Sequence, residues 1–592
     1  MRKKKITRWN YIPQMEDMLF FASILDEMTF NYTLDSFKAS VHNIFSLIQE
    51  CRETIIDIQE ETIKKGALPP IIEEIKDEME KDFIMKQVCK SNNLNLLIPK
   101  IDGKTDREEL KTILEMFLSA NIVRQYNEVI KKSLSETIKS ATNQKKKIEK
   151  LTRLFVSQMK FMGYPNASIY KKTKDFFFSL STNIQSVNDV DSFLALFNFD
   201  LQEYKVCLFG NSLYDFIKNS IQNVGIDIND TFVPSQWDAS FSNYDNLQNQ
   251  SKYVLVTIKG YDEYDAMARA IDKVGHFTSL YTFFHHKENF KYTDEYSLVR
   301  RDKDGSCFKV KMPMQRIVAC KDEKPLKAAV IYDAYIHKIG MEKDSYFRYV
   351  KSIRLHDSAL RSDHEENQFL NLFTAFEVLI PKAADSGKDR IVQIADILLP
   401  YLCHSHFLKI AGAFGQDFRL WKNKLYKSIL AQISEGATED EKMCALISLS
   451  KYQPLRDQIF NTATTDNHFL FRYRLYKLNE RMGTVKNVKS TYKKFLERMR
   501  WHVTRLYRTR NLIVHAGTHP LYLDMLLENI HAFYDTFMRE LLIDVTDKGM
   551  MKLEYSYILR QSLHNSYLSY LETLNNSTTI DENNYLQVLG VK

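Results

Sequence analysis

Glycine and proline are scarce in this sequence, with 17 Gly and 12 Pro among 592 residues. Few positions are therefore suited to tight turns, and this favours a chain that is mainly helical. The hydrophobic fraction of 44% is ordinary for a globular protein. A chain of this length exceeds what one hydrophobic core usually holds, so we expect several domains.

Cysteine is also rare, and the seven cysteines are dispersed without any Cys-x-x-Cys pair. This pattern is typical of reduced thiols and offers no disulfide or zinc framework; Cys403, His404 and His406 are too closely spaced for one. The sequence lacks an apolar run of the roughly 18 residues that a membrane span needs, and no apolar core follows the basic N-terminus. We therefore expect a cytoplasmic protein with no membrane segment, no metal and no cofactor.

A strong charge of one sign is absent, because the net charge is only +7 over the whole chain. Such a mild excess is compatible with a surface that meets RNA, and equally with a mixed-charge solvated surface. Charge therefore does not decide between a nucleic-acid-binding protein and other classes.

The pattern of apolar residues divides the chain into four regions. Residues 1–150 predict an N-terminal helical region, in which Asp106 caps a helix that starts at Arg107. Residues 151–345 predict a mixed α/β domain, a candidate sensor. Residues 346–545 predict a bundle of four or five helices, and residues 546–592 a last helix and a tail. The expected fold class is thus mainly α, with one mixed α/β unit in the middle.

The middle region carries the only clear strand patterns. Residues 204–210 and 253–260 alternate like strands, and a turn at 302–305 predicts a hairpin. An amphipathic helix over 263–274 and an apolar stretch over 277–284 follow the second strand. This β-α-β order predicts a small mixed sheet.

The most informative segment is the end of a helix predicted over residues 488–515. A core-facing stripe on this helix consists of Val503, Leu506, Tyr507, Ile513 and Val514. Arg510 falls near the middle of that stripe, so it needs either a carboxylate partner or a cavity where it meets an anion. Asn511 and His515 are one turn apart, and their side chains can meet. Gly517 predicts the helix end, which places His515 in the last turn.

An arginine, an amide and a histidine at one helix end suit the transesterification of RNA. His515 can deprotonate a ribose 2′-OH or protonate the leaving 5′-oxygen, and Arg510 can hold the phosphate. The spacing alone is unspecific, because Arg269 and His276 also match it. We interpret that second pair as a surface arginine and a loop histidine.

Residues 501–517 resemble the signature helix of the HEPN superfamily, in which an arginine, a polar residue and three variable residues precede a histidine. Here these positions are Arg510, Asn511 and His515. Residues 368–380 resemble the opening helix of the Apea-like HEPN branch, including its acidic residue at Glu377. Glu377 has two overlapping interpretations: a salt bridge with Arg510 or another arginine, or a residue that orients Arg510 in the site.

The resemblance covers about a third of the chain, residues 350–545. It implies a helical bundle that forms a homodimer or a higher oligomer, in which two Arg–His motifs share one cleft. It also implies a metal-independent endoribonuclease that leaves 2′,3′-cyclic phosphate ends on its RNA substrate. Relatives with large N-terminal regions are often bacterial antiphage effectors of abortive infection, so it further implies a phage-derived trigger.

Two other hypotheses stay open at this point. The bundle can be a non-catalytic module that binds RNA or a nucleotide, while the N-terminal region carries the main function. A scaffold without chemistry is the third. The complete set of Arg510, Asn511 and His515 favours the ribonuclease, because a non-catalytic bundle has no need of it.

Overall fold

The computed structural model describes residues 6, 8–10, 12–30, 42–140, 144–179, 183–246, 251–285, 287–313, 323–380, 390–518, 520 and 522–591. Within these ranges the chain is mainly helical and contains one five-stranded sheet. The predicted fold class, mainly α with a mixed α/β middle unit, is confirmed.

The chain forms two compact units. The first contains Met1–Thr152 together with Gln315–Lys592, and the second contains Arg153–Met314. Residues 1–150, predicted as a region of their own, thus share one unit with the C-terminal helices, and the middle unit ends at 314 instead of 345. The spacing of apolar residues shows which face of a helix is buried, but it does not show which other helix packs on that face. It therefore cannot assign distant helices to the same unit.

Capping residues set the starts of several N-terminal helices. Asn43 accepts a hydrogen bond from the Ser46 N–H, and Ser46 accepts one from the Asn43 N–H. Asp106 accepts hydrogen bonds from the backbone of Glu108 and Glu109, as predicted for the helix that starts at Arg107. The helices of this part are α1 (Glu16–Thr29), α2 (Ile44–Gln59), α3 (Leu68–Lys81), α4 (Phe83–Ser91), α5 (Arg107–Phe117), α6 (Ala120–Lys139) and α7 (Lys145–Phe161).

The second unit is built around an antiparallel sheet in the order β2-β3-β1-β4-β5. Its elements are α8 (Asn166–Thr173), α9 (Asp189–Leu194), β1 (Gln202–Gly210), α10 (Lys218–Ile221), β2 (Ile226–Asn229), β3 (Lys252–Gly260), α11 (Glu263–Thr282), β4 (Tyr296–Arg301) and β5 (Cys307–Lys311). The two predicted strands and the hairpin are confirmed, whereas β2 was not predicted.

The predicted β-α-β order is wrong, because α11 continues through residues 277–282. Ala270, Val274 and Thr278 are buried at spacings of four residues, so the helical stripe extends past Gly275. His276 therefore lies in a helix and not in a loop. Its imidazole is exposed and lies 3.9 Å from the carboxylate of Asp272, one turn earlier.

The C-terminal part of the first unit is a helical bundle with one large hydrophobic core. Its helices are α12 (Pro325–Ile336), α13 (Lys343–Arg361), α14 (Glu365–Leu379), α15 (Arg390–Cys403), α16 (His406–Leu430), α17 (Glu439–Ser448), α18 (Gln453–Thr465), α19 (Phe469–Met482), α20 (Val485–Asn511), α21 (Leu523–Thr546), α22 (Leu553–Thr573) and α23 (Tyr585–Val588). Helix α14 packs against α13 and α21, and α20 packs against α15 and α14. This packing fixes the end of α20 beside α14.

Among the described helices, none is by itself both long and apolar enough to cross a membrane. Helices α15 and α16 meet these criteria only as a pair, which is bent by 43°. Both helices contribute buried residues to the core of the bundle, including Leu398 and Phe407.

Candidate active site

The candidate site lies at the end of α20. Thr484 caps the start of this helix by accepting a hydrogen bond from the Asn487 N–H, and Val503 and Leu506 bury one face in the core. After Asn511 the helix widens into a π-helical turn, Leu512–Ala516, and Gly517 follows with φ +63°. The predicted helix end and the position of His515 in the last turn are confirmed.

The π-helical turn changes which side chains face the core. Its hydrogen bonds join residues i and i+5, one residue more than in an α-helix, so the face presented after Leu512 rotates. Val514, predicted in the core-facing stripe, is 48% exposed, and Ile513 is only partly buried. The prediction for Val514 is therefore wrong, since it assumed α-helical spacing through residue 515.

Arg510, predicted near the middle of the apolar stripe, is only partly buried, with 27% of its side chain exposed. Its Nη2 donates a hydrogen bond to Oε2 of Glu377 at 3.4 Å, and its Nη1 donates one to Oδ1 of Asn511 at 3.1 Å. Of the two environments predicted for Arg510, the structure shows the carboxylate partner. Glu377 and Asn511 together orient the guanidinium.

The end of α14, which carries Glu377, is itself held in place by a second arginine. The Nη2 of Arg390 donates hydrogen bonds to the backbone oxygens of Glu377 at 3.4 Å and of Ile380 at 2.7 Å. Burial lowers the pKa of Arg390, while the charge of Glu377 opposes that shift. The carboxylate of Glu377 thus pairs with Arg510, while Arg390 holds the backbone of the same residue.

His515 is exposed and makes no hydrogen bond or ion pair with the described residues around it. Among the described residues, no hydrogen bond joins the side chains of Asn511 and His515, although a contact between them was predicted; the Asn511 amide oxygen accepts one from Arg510. The structure therefore joins Arg510, Asn511 and Glu377, and leaves His515 in solvent at the end of the same segment. An open imidazole can exchange a proton with a ligand that Arg510 binds.

Two further arginines of α20 are buried against the N-terminal helices. Nε of Arg505 donates to both carboxylate oxygens of Glu50 on α2, at 3.0 and 3.1 Å, and Arg508 also pairs with Glu50. The side chains of Arg505, Arg508 and Glu50 are 2%, 4% and 1% exposed. Arg505 also pairs with Glu74 on α3. Sequence reasoning missed these residues, which we call the α2–α20 clamp.

The clamp also holds the chain that follows His515. Arg508 donates hydrogen bonds to Oγ1 of Thr54 at 2.7 Å and to the hydroxyl of Tyr522 at 3.1 Å. The ring of Tyr522 meets that of His42 edge to face at 4.3 Å. Arg508 thus connects Tyr522, the residue before α21, to Thr54 of α2.

His502 lies on α20, two turns before Arg510. Its ring lies edge to face with Phe533, at 6.5 Å between ring centroids. Burial, with the charges of Arg505 and Arg498, lowers its pKa to about 3. A histidine that stays neutral at neutral pH in this position is consistent with a packing role.

The candidate site contains no group of metal-ligating side chains among the described residues. The one such group in the described ranges consists of His356, His531 and Asp535, and it includes neither Arg510 nor His515. The ring of His406, set aside as a zinc ligand, stacks on Phe495 at 3.6 Å, and burial lowers its pKa to about 3.

No family model, curated protein or solved structure matches this chain. The assignment of a function to Arg510 and His515 therefore depends on the geometry of the site and on the sequence motif that it contains.

Proposed function

We propose that this chain is a metal-independent endoribonuclease of the HEPN type, which acts on RNA in the cytoplasm. The observation that carries the proposal is an exposed His515 five residues after Arg510, whose guanidinium is oriented by Glu377 and Asn511. Cleavage of a phosphodiester requires a group that transfers protons and a cation that stabilises charge on the phosphate oxygens. His515 and Arg510 can supply these two functions.

In the proposed reaction, the ribose 2′-oxygen attacks the adjacent phosphorus and the bond from phosphorus to the 5′-oxygen breaks. A neutral His515 takes the proton of the 2′-OH. Arg510 donates hydrogen bonds to the non-bridging oxygens, where negative charge grows in the transition state. The products are a 2′,3′-cyclic phosphate and a 5′-hydroxyl.

The departing 5′-oxygen also needs a proton, and in an in-line displacement it lies on the side of the phosphorus opposite the 2′-oxygen, out of reach of the first histidine. A second His515 in its imidazolium form, from another copy of the chain, can supply it, which favours a homodimer with a shared cleft. Helix α13 supports self-association, because Tyr346, Ile353 and Leu360 are exposed at spacings of seven residues. This helix packs on α14, which carries Glu377.

The proposed role is that of an effector in bacterial antiphage defence, in which a phage-derived trigger acts through residues 1–345. The α2–α20 clamp supports such control, because it joins an N-terminal helix to the helix that carries Arg510 and His515. A ribonuclease that cuts cellular RNA needs a restraint, since an unregulated one would harm its host.

Cleavage assays with single-residue variants test the proposal. The purified chain is incubated with total RNA and with tRNA in EDTA, with and without lysate of phage-infected cells. We expect His515→Ala to lower the cleavage rate by roughly 10²–10⁴-fold and Arg510→Ala by roughly 10²–10³-fold. The controls His364→Ala and Arg500→Ala change exposed residues, the second on α20 itself, and should cleave like the wild type.

The outcomes separate the hypotheses. A wild-type chain that binds RNA but cuts none under any of these conditions is a binding module and refutes the ribonuclease. If His515→Ala cuts as fast as the wild type, the site is elsewhere. Mixing the Arg510→Ala and His515→Ala chains should restore part of the activity, because a mixed dimer regains one arginine and one histidine in the cleft. Absence of any rescue would contradict a shared cleft.

A further inference from the structure

Two helices of the bundle bring a pair of histidines together away from the candidate active site. His356 lies on α13, and His531 lies on α21. Their Nε2 atoms are 3.2 Å apart, and their rings are stacked with an angle of 27°. Asp535, one turn after His531 on α21, places a carboxylate oxygen 3.5 Å from His531 Nδ1.

The distance between the two Nε2 atoms allows two arrangements. In the first, one imidazole donates its only proton to the other, as in an ordinary hydrogen bond. In the second, both Nε2 atoms are deprotonated and a cation lies between them. Two nitrogens that each lie about 2.0–2.1 Å from a tetrahedral Zn²⁺ are roughly 3.3 Å apart, which is close to the observed separation.

We propose that His356, His531 and Asp535 form a binding site for a divalent transition-metal ion of the Zn²⁺ type. One ligand atom from each residue can be chosen so that all three lie within 4.8 Å of one another. The Asp535 side chain is 48% exposed, so a small rotation can bring its carboxylate to the ion while water completes the coordination. Imidazole and carboxylate are ligands that suit Zn²⁺ and its neighbours in the first transition row.

The position of His356 is set before any ion binds. Its ring stacks on Tyr534, with centroids 4.8 Å apart and an angle of 10°. The hydroxyl of Ser352 donates its single proton to the Ala375 backbone oxygen at 3.0 Å, so in the 2.9 Å contact between the hydroxyls of Ser352 and Tyr534 the proton comes from Tyr534. Tyr534 is thereby held in one orientation, and it holds the imidazole.

Negative charge lies beside the histidine pair. Asp535 and Asp357 interact electrostatically with His356, and their charge compensates that of a bound cation.

Metal stoichiometry of the untagged full chain tests the proposal. After dialysis against a chelator and then against metal-free buffer, the chain is incubated with Zn²⁺, passed over a desalting column and analysed by mass spectrometry for metal content. We expect one Zn²⁺ per chain, and with Co²⁺ the absorption bands of a low-symmetry site. The unfolding temperature should rise by at least about 3 °C when the free ion exceeds its Kd about 100-fold.

Variants show where the ion binds. His356→Gln and His531→Gln should each weaken Zn²⁺ binding by more than about 10-fold, and Asp535→Asn by roughly 10–100-fold. Circular dichroism establishes that each variant is folded. The matched control is His276→Ala, which removes a histidine that also faces an aspartate one turn away but has no second histidine beside it. Its Zn²⁺ affinity should equal that of the wild type.

Two results would overturn the metal site. The first is a wild-type chain that retains less than about a tenth of an equivalent of Zn²⁺ and shows no rise in unfolding temperature. The second is a set of folded histidine variants that bind Zn²⁺ as tightly as the control. Neither readout depends on cleavage of RNA, so failure of the ribonuclease proposal leaves this test intact.

Discussion

The arginines at the end of α20 fall into two groups that differ in their surroundings. Arg505 and Arg508 are buried and paired with Glu50 of α2. Arg510, two residues later, is partly exposed and reaches a single carboxylate, that of Glu377, at 3.4 Å. Arg505 and Arg508 hold the helix against its neighbours, whereas Arg510 can bind an anion in addition to Glu377.

The three residues are all arginines, so the difference in their roles follows from their burial and not from residue type. A buried guanidinium between carboxylates has lost its water and cannot be reached by a phosphate. A guanidinium at the surface keeps access to a ligand, and one weak ion pair is enough to orient it. The partly exposed Arg510 can therefore bind an anion, because the buried Arg505 and Arg508 hold the helix in place.

Among these variants, the largest change in the free energy of unfolding is expected from Glu50→Gln. The change leaves Arg505 and Arg508 without their shared carboxylate in a buried position, so we expect the free energy of unfolding to fall by about 3–5 kcal/mol. Urea titration followed by circular dichroism measures it. The control is Glu115→Gln, whose partner Arg52 is also on α2 but whose ion pair is at the surface, and which should cost at most about 1 kcal/mol. Equal losses in the two variants would contradict a buried clamp.

A smaller effect is expected from Glu377→Gln at the exposed end. Its ion pair with Arg510 is long and partly solvated, so the free energy of unfolding should change by less than about 1 kcal/mol. If Glu377 orients Arg510, cleavage of RNA should fall by about 10-fold, with the loss in kcat and not in KM. Glu554→Gln, which removes the partner of Arg348 in the same bundle, serves as the control. A large loss of stability without a change in kcat would make Glu377 a purely structural residue.

The third effect concerns the pH dependence of stability. Burial and the charge of Arg505 hold the pKa of His42 well below its usual value and that of His502 at about 3. In the unfolded chain both take up a proton near pH 6.5, so the unfolded state binds more protons as the pH falls below that value, and stability is lost. Each histidine contributes up to about 1.4 kcal/mol per pH unit.

Urea unfolding of His502→Asn at several pH values isolates this contribution. Carboxylates with raised pKa values, such as Glu78 at about 7, act in the opposite direction, but they do so equally in the wild type and in the variant. The variant should therefore lose less stability than the wild type between about pH 6.5 and pH 4.5. His364→Ala, at an exposed position, should follow the wild type. Identical slopes for His502→Asn and the wild type would mean that His502 takes up its proton while folded.

The elements that the sequence predicted well are those in which a local pattern is sufficient. The strands β1 and β3, the start of α5 at Arg107 and the end of the π-helical turn at Gly517 depend on alternation, capping and backbone conformation within a few residues. The stretch over 277–284 was misassigned because a short apolar run after Gly275 has no period of its own. The contact between Arg510 and Glu377 was among the predicted alternatives, since a half-buried cation requires a partner.

What could not be predicted are the contacts between residues far apart in the chain. Arg505 and Glu50 are separated by 455 residues, and His356 and His531 by 175. No spacing rule connects such pairs in a single sequence. The sequence contains one weak indication of the buried face of α20. On this helix one side carries Trp501, Arg505, Arg508 and Leu512. Arg505 and Arg508 on that side pair with Glu50 of α2 and Glu74 of α3, and the N-terminal helices share one compact unit with the bundle.

The π-helical turn Leu512–Ala516 has a consequence for how this protein can change over time. The turn holds one residue more than an α-helix would, and it lies beyond the last residue of the α2–α20 clamp. Insertions, deletions or substitutions within it can turn the imidazole of His515 relative to Arg510 while the buried ion pairs stay as they are. The end of α20 is therefore a place where the geometry of the proposed site can change while the ion pairs of the α2–α20 clamp are kept.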